Sequence, residues 1–259
     1  MGSRRRYRRH ALTAVAGLVT LSSSVAAQSE NRDLIDGLEY QLLYVALPLT
    51  LFVLMILVYA AVKFYDNDDP KPTAEDPALE ITWTAATAII LLFVGIAGYS
   101  VLVSPYISPS QPADLTGDGD ITDEELDSLE DLPETDDEEV VVRGYQWGWE
   151  VTYPDANVTT RDEIVIPADE DVTMWLTADD VIHALFVQEL GIKQDAFPGE
   201  FTRVRTVAYE TGQYNAVCTE FCGAGHSRMD ATVHVVDPDT YEEWLEEHED
   251  EQATPPDLS

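Results

Sequence analysis

The chain has 259 residues, of which 49 are acidic and 14 basic, so its formal net charge is −35. Such a surface repels the phosphates of nucleic acid, and nucleic-acid binding is therefore excluded as the main function. Two cysteines are too few for a disulfide scaffold, whereas the length allows one sizeable domain with additional segments.

Acidic residues extend through the segments that look folded as well as through the polar tails. At ordinary ionic strength this self-repulsion would destabilise a compact state. At molar salt the Debye length falls to about 3 Å, and the repulsion is screened. The composition therefore favours a protein of a halophile, and we expect a halophilic archaeon, over an acidic protein with disordered tails.

The first 27 residues have the layout of a signal peptide. Residues 1–10 carry five arginines, residues 11–21 form an apolar run too short to span a bilayer, and small residues end at Ala27. The segment 3–7, Ser-Arg-Arg-Arg-Tyr, also resembles a twin-arginine export signal. We predict a signal peptide over residues 1–27; the alternative is an uncleaved basic tail in the cytoplasm.

Two uncharged apolar runs follow, and each is long enough for a membrane-spanning helix. They cover about residues 42–62 and 81–105. The polar connection between them is short, so residues 28–107 are predicted to form a membrane hairpin that returns the chain to its starting side. An exported N-terminus would then place everything after residue 107 on the external face of the cell membrane. The alternative is a buried hairpin in a soluble protein.

Residues 108–139 form an acidic linker or insertion whose spacing matches a twelve-residue EF-hand loop. The glycine at its sixth position, Gly119, suits the sharp turn of such a loop. No entering helix is indicated, because prolines precede the loop. The loop predicts calcium binding, with an acidic halophilic linker as the alternative. Its candidate ligands are Asp114, Thr116, Asp118, Asp120, Thr122 and Glu125.

From residue 140 to 237 the pattern changes to short β-type runs separated by turn residues. Eight such runs predict an all-β sandwich or barrel. An acidic segment follows at 238–259, where Tyr241, Trp244 and Leu245 have helical spacing and predict a short terminal helix before a free tail. The predicted runs are 140–142, 149–153, 163–166, 172–176, 183–187, 202–207, 214–217 and 231–236.

One loop near the C-terminus combines soft and borderline metal ligands. Cys218 and Cys222 stand four residues apart, His226 follows four residues later, and Met229 three beyond that. A mixture of thiolate, imidazole and thioether suits copper. A zinc site is one alternative, but zinc more usually takes a C-x2-C spacing without methionine. The other alternative is a buried pair of reduced cysteines with no metal. His183, on a predicted strand upstream, is a further candidate ligand, and two thiolates can bridge two metal ions.

This arrangement resembles subunit II of the heme-copper cytochrome c oxidases. The resemblance covers nearly the whole mature chain, and it implies a transmembrane α-helical hairpin followed by a cupredoxin-like sandwich or barrel carrying a dinuclear copper centre, CuA. The implied ligands are Cys218 and Cys222 as bridging thiolates, His183 and Met229 on one copper, and His226 with the carbonyl of Glu220 on the other.

Three more positions match functional residues of the family. The Glu220 side chain corresponds to a residue that helps hold magnesium or manganese at the contact with subunit I. Trp147 corresponds to the point where electrons enter, and Glu80 to the mouth of a proton pathway. The chain departs from the family pattern at Gly148, where an aromatic is usual, and at Glu200, where an arginine is usual.

The resemblance implies a subunit of a respiratory oxidoreductase without oxidase activity of its own. It would accept electrons from a soluble donor, either a cytochrome c or a small blue-copper protein, and pass them to heme in subunit I for oxygen reduction coupled to proton pumping. The alternatives are a CuA-type component of a nitric or nitrous oxide reductase and a copper-delivery protein. Nitrous oxide reductases also need a large propeller domain, for which this chain has no room.

Overall fold

A computed structural model describes residues 28–68, 72, 74–108, 135–249 and 252–256. The predicted signal peptide and the predicted calcium loop both lie outside these residues.

The first two helices form the predicted hairpin. Helix α1 spans Glu30–Phe64 and helix α2 spans Pro77–Leu102, and both are long and apolar enough to cross a membrane. Ser29 caps α1 by accepting a hydrogen bond from the backbone N–H of Arg32, and Asp76 caps α2 in the same way. Helix α1 begins twelve residues before its apolar run, so its first three turns carry polar residues.

The β domain contains ten strands among the described residues, so the expectation of eight was too low. One sheet has the order β3-β2-β1-β5-β8 and the other the order β4-β10-β9-β6-β7. The two unpredicted strands, β3 and β7, each lie at a sheet edge. The strands are β1 Glu138–Tyr145, β2 Gly148–Tyr153, β3 Val158–Arg161, β4 Glu163–Pro167, β5 Asp171–Ala178, β6 His183–Val187, β7 Ile192–Ala196, β8 Thr202–Val207, β9 Gly212–Cys218 and β10 Asp230–Val236.

The apolar side chains of the two sheets form one buried cluster. Cys218, Cys222 and Met229, from the loop predicted to bind copper, are part of this cluster. Trp149, Met174 and Leu185 are fully or almost fully buried in this cluster, as are Cys222 and Met229. Because well-packed interiors resist side-chain movement, the sandwich holds one end of the candidate metal site rigidly.

The predicted terminal helix is present as α3, Pro238–Glu247. Tyr241 and Trp244 are its buried residues, and both rings contact the ring of Tyr153 from strand β2, with centroids 6.3 and 5.1 Å away. Edge-to-face contacts of this kind add to the apolar burial. The helix therefore covers the sandwich with one edge, as its spacing predicted.

Arg205, on strand β8, joins the membrane hairpin to the β domain. Its guanidinium donates two hydrogen bonds of 2.7 Å to Asp137, lies 3.3 Å from Asp171 and stands over the ring of Tyr106 at 5.2 Å. Its backbone carbonyl accepts a hydrogen bond of 2.8 Å from the side chain of Asn31, at the start of α1. One residue thus contacts the start of α1, the loop after α2, the residue before β1 and strand β5.

The environment of the Asp137 carboxylate makes the stability of the β domain depend on pH in the acid range. Burial is the largest single influence and raises its pKa, but hydrogen bonds from Arg205 and Thr173 together lower the pKa below the ordinary value of 3.8. The carboxylate therefore contributes stability above pH 3.8, and this contribution is lost as the pH falls through the lower pKa of the folded state. We expect the thermal midpoint of Asp137→Asn to fall less steeply below pH 4 than that of the parent chain, about where free aspartate titrates. Parallel slopes in circular-dichroism melts would contradict this.

Candidate metal centre

The copper-type loop connects strands β9 and β10 at one end of the sandwich. Strand β9 ends at Cys218, a short 3-10 helix covers His226–Arg228, and Asp230 begins β10. A hydrogen bond of 2.9 Å from the Cys218 amide to the Met229 carbonyl closes the loop at its base. The first and last ligand candidates of the loop are therefore fixed beside each other by the sheet.

His183 reaches this loop because it begins strand β6, which pairs antiparallel with β9. In that pairing Leu185 lies opposite Cys218, two residues from the histidine. The prediction that an upstream strand residue joins the downstream loop is thus matched by the sheet register.

The side chains bring their donor atoms into one small cluster. The sulfur atoms of Cys218 and Cys222 are 3.8 Å apart, and both cysteines are free. His183 Nδ1 lies 3.9 Å from the Cys218 sulfur, and His226 Nδ1 lies 3.6 Å from the Cys222 sulfur. The Met229 sulfur lies 3.1 Å from His183 Nδ1 and 3.6 Å from the Cys222 sulfur.

A backbone oxygen completes the cluster. The carbonyl of Glu220 lies 3.3 Å from the Cys218 sulfur, whereas the Glu220 side chain is exposed. The donor set is therefore two sulfurs from thiols, one thioether, two imidazole nitrogens and one carbonyl. This set fits copper, because its thioether is a soft ligand that zinc sites rarely use.

Burial raises the pKa of one thiol in the cluster. His183, Cys222 and Met229 are each at most 2% exposed. Burial, together with the hydrogen bond to Cys218, raises the pKa of the Cys222 thiol to about 11. Because thiolate is the ligand form, metal binding at neutral pH must displace this proton.

Trp147 lies flat on the copper loop at the protein surface. Its ring is 42% exposed, and its Nε1 donates a hydrogen bond of 3.0 Å to the Cys222 carbonyl. The loop accepts the ring only because residue 225 is glycine, since a Cβ there would stand 2.3 Å from Cδ2 of the indole. By contrast, Trp149 is fully buried in the core, so the two tryptophans have different environments.

The departure at Gly148 has a local structural reason. A Cβ at this position would lie 2.6 Å from the Tyr145 hydroxyl and 3.0 Å from an oxygen of Asp162. Tyr145 therefore occupies the space that a side chain at position 148 would need.

The other predicted site residues lie away from the donor cluster. Glu80 is exposed in the first turn of α2. Glu200 is exposed in the connection between β7 and β8. Two residues beside the cluster were not predicted from the sequence: Asp180, which contacts His183, and Gly225, which contacts Trp147. Their only sequence signals are an acid three residues before the histidine and a Gly-Ala-Gly segment inside the loop.

Two family descriptions match the two parts of the chain. The transmembrane domain of cytochrome c oxidase subunit II matches residues 17–101, and the periplasmic domain of the same subunit matches residues 156–236. The second match contains all the donor residues of the cluster.

Individual relatives agree with these matches. Cytochrome c oxidase subunit 2 of Synechocystis is 29% identical over 251 residues, covering 85% of this chain and 74% of that protein. A probable cytochrome c oxidase subunit 2 of Rickettsia bellii is 30% identical over 227 residues, covering 79% and 75%. Among solved structures, the periplasmic domain of subunit II of cytochrome oxidase of Bradyrhizobium japonicum is 28% identical, with a TM-score of 0.42, covering 44% of this chain and 94% of that one. The chain belongs to the cytochrome c oxidase subunit II family.

Proposed function

We propose that this chain is the subunit of a respiratory heme-copper oxidase that accepts single electrons from a soluble donor and delivers them to the heme-bearing subunit I. Oxygen reduction and proton pumping take place in that partner, and the chain alone has no oxidase activity. The observation that carries the proposal is the donor cluster, in which two thiol sulfurs 3.8 Å apart are flanked by two imidazoles and a buried thioether.

The cluster would hold two copper ions. Cys218 and Cys222 would contact both ions, and the remaining donors would divide between them, with His183 and Met229 on one side and His226 with the Glu220 carbonyl on the other. When bound, such a pair supplies a site that takes up and releases one electron at a time. The protein's contribution is rigidity: the sheet fixes both ends of the loop, and burial excludes water from the sulfurs.

Trp147 is the proposed point at which electrons reach the chain. Its ring is exposed on the outer side, and its indole nitrogen is bonded to the carbonyl of a thiol ligand, Cys222, on the inner side. The aromatic system therefore connects the surface to the cluster by one hydrogen bond. The donor would be a cytochrome c or a small blue-copper protein.

Further roles are proposed for the periphery of the chain. The exposed Glu220 carboxylate would contribute to a magnesium or manganese site at the contact with subunit I, and Glu80 would stand at the mouth of a proton pathway into it. The hairpin would anchor the chain in the cell membrane with the β domain on the external face. The excess of acidic residues supports a source that lives in molar salt, a halophilic archaeon.

Calcium binding by Asp114, Asp118, Asp120 and Glu125, with Thr116 and Thr122, stays a prediction from loop spacing. Calorimetric titration of the full-length chain at high NaCl should release or absorb heat on addition of calcium. The same titration with Glu125→Gln removes the bidentate carboxylate and should give no heat; equal heats for both chains would contradict the site.

Copper loading tests the proposed function. The full-length chain, purified in detergent at molar NaCl, is expected to bind two copper ions, turn purple and give the multi-line EPR signal of a mixed-valence pair. In Cys222→Ser one bridging sulfur is missing, and the signal of the shared pair should disappear. A colourless or single-copper blue product from the parent chain would overturn the proposal. Co-purification with a heme-bearing membrane subunit from native membranes separates a respiratory component from a copper-delivery protein, and oxygen consumption by the purified complex separates an oxidase from a reductase.

A further inference from the structure

Three segments meet beside the donor cluster, and one carboxylate bonds to two of them. The segments are the β1–β2 turn, the loop before β6 and the β9–β10 loop. Asp180, in the loop before β6, accepts a hydrogen bond of 2.9 Å from His183 Nε2 and one of 2.7 Å from the amide of Val181. Its second oxygen accepts a hydrogen bond of 2.8 Å from the amide of Gln146, in the β1–β2 turn.

The first of these bonds determines which nitrogen of His183 faces the cluster. An ionised carboxylate only accepts hydrogen bonds, so Nε2 must carry the proton. In the neutral imidazole Nδ1 is then the nitrogen without a proton, and it lies 3.1 Å from the sulfur of Met229 and 3.9 Å from that of Cys218. Asp180 therefore selects the tautomer that can bind a metal through Nδ1.

The ring of His183 has little freedom to turn away from this arrangement. A Cβ at Gly144 would lie 3.0 Å from its Cδ2, so the backbone of β1 lies directly against one face. The ring of Trp149 approaches with its centroid at 5.9 Å in an edge-on contact. The side chain is fully buried, so packing fixes the plane of the ring, and the bond to Asp180 fixes which nitrogen faces the donor cluster.

The hydrogen bond from the Gln146 amide to Asp180 holds the β1–β2 turn, which lies on the surface side of the cluster. The side chain of Gln146 donates a hydrogen bond of 2.7 Å to the Cys222 carbonyl, which also accepts from Trp147 at 3.0 Å. The turn that carries both side chains is attached to Asp180 through its backbone. One carboxylate thus connects the upstream histidine to the exposed indole that covers the loop.

We propose that Asp180 is a positioning residue for electron transfer, which orients His183 as a metal ligand and at the same time holds Trp147 against the metal loop. The proposal rests on the proposed function, because it assigns a role at the same site. Asp180 itself does not belong to the donor cluster, and it acts through His183 and Gln146.

The test compares Asp180→Asn with Asp179→Asn. The amide in Asp180→Asn has one acceptor oxygen instead of two, so it cannot accept from both His183 and Gln146. Asp179→Asn removes the same charge from the adjacent position, but Asp179 is 50% exposed and pairs with Arg143 at 2.8 Å instead. The two variants therefore share the charge change and differ in the contact to the cluster.

We expect Asp180→Asn to weaken copper binding about 10- to 100-fold in competition with a copper chelator. We also expect about a tenfold change in the equilibrium constant for one-electron reduction, which is about 59 mV. Asp179→Asn should leave both quantities at the values of the parent chain. Equal changes in the two variants would show that charge alone acts, and no change in either would also overturn the proposal.

A metal-free measurement separates this proposal from the proposed function. In the copper-free parent chain, nitrogen-15 NMR of His183 should show a proton on Nε2, and Asp180→Ala, which removes both acceptor oxygens, should lose this single tautomer. A proton on Nδ1 in the parent chain, or an unchanged tautomer in the variant, overturns the role of Asp180 even if copper binds. A chain with the expected tautomer that binds no copper overturns the proposed function instead.

Discussion

Replacing Gly225 with alanine is expected to slow the reduction of the copper-loaded chain by a soluble donor about 100-fold, the scale of loss that a displaced reacting group produces. The new Cβ would stand 2.3 Å from Cδ2 and 2.5 Å from Cγ of Trp147, so the indole must leave the loop. The backbone of Gly225 has φ −91° and ψ −2°, the conformation of the third residue of a type I turn, which alanine can adopt. The effect therefore arises from the displaced ring, and stopped-flow reduction by reduced cytochrome c measures it.

Two further variants isolate the cause of this loss. Trp147→Ala should slow reduction to a similar extent, and the double variant should be no slower, because the ring is already displaced in each single variant. Gly37→Ala serves as the matched control, since a Cβ there has nothing within 4 Å. The copper spectrum should stay the same in all four chains. An undiminished rate in Gly225→Ala with an intact spectrum would contradict the role of Trp147.

Removing the guanidinium of Arg205 is expected to lower the free energy of unfolding of the β domain by about 2–3 kcal/mol. The Asp137 side chain is only 10% exposed. In Arg205→Ala it keeps the hydrogen bond from Thr173 but loses the two hydrogen bonds from the guanidinium. In a domain of this size the loss corresponds to roughly 5–10 °C in the thermal midpoint. Circular-dichroism melts at constant high salt measure the change.

The control for this variant is a second arginine on the same sheet. Arg161 pairs with Glu150 at 3.8 Å and its side chain is 62% exposed, so Arg161→Ala should cost less than about 1 kcal/mol. Arg205→Lys should lie between the two, because an ammonium cannot reproduce the two-pronged contact with Asp137. Equal midpoints for Arg205→Ala and Arg161→Ala would show that the network adds nothing beyond a surface ion pair.

The fold could be predicted from the sequence wherever a segment has a clear apolar pattern. The two missed strands are edge strands with polar sequences, Val-Thr-Thr-Arg in β3 and Ile-Lys-Gln-Asp-Ala in β7. An edge strand is packed less completely, so its apolar pattern is weak and the pairing with its neighbour decides its structure. Helix α1 similarly extends beyond its apolar run, where its turns contact the β domain through Asn31.

The clustering of these side chains was predictable because four of the five side-chain donors lie within twelve positions of one loop, and ligand chemistry constrains residue type. The residues that position them were not. Asp180 contacts the turn at Gln146 across 34 positions, and Gly225 receives a ring from Trp147. Such contacts arise from sheet topology, which brings distant segments together without leaving a local spacing pattern.

The position of Arg205 also has a consequence for engineering the chain. Tyr106 and Asp137 stand on either side of residues 109–134, and both are held by the same guanidinium. Contacts among the described residues thus hold the two ends of that stretch near each other. This stretch is therefore the place where an affinity tag or a fluorescent reporter could be spliced into the chain without disturbing the copper end of the sandwich.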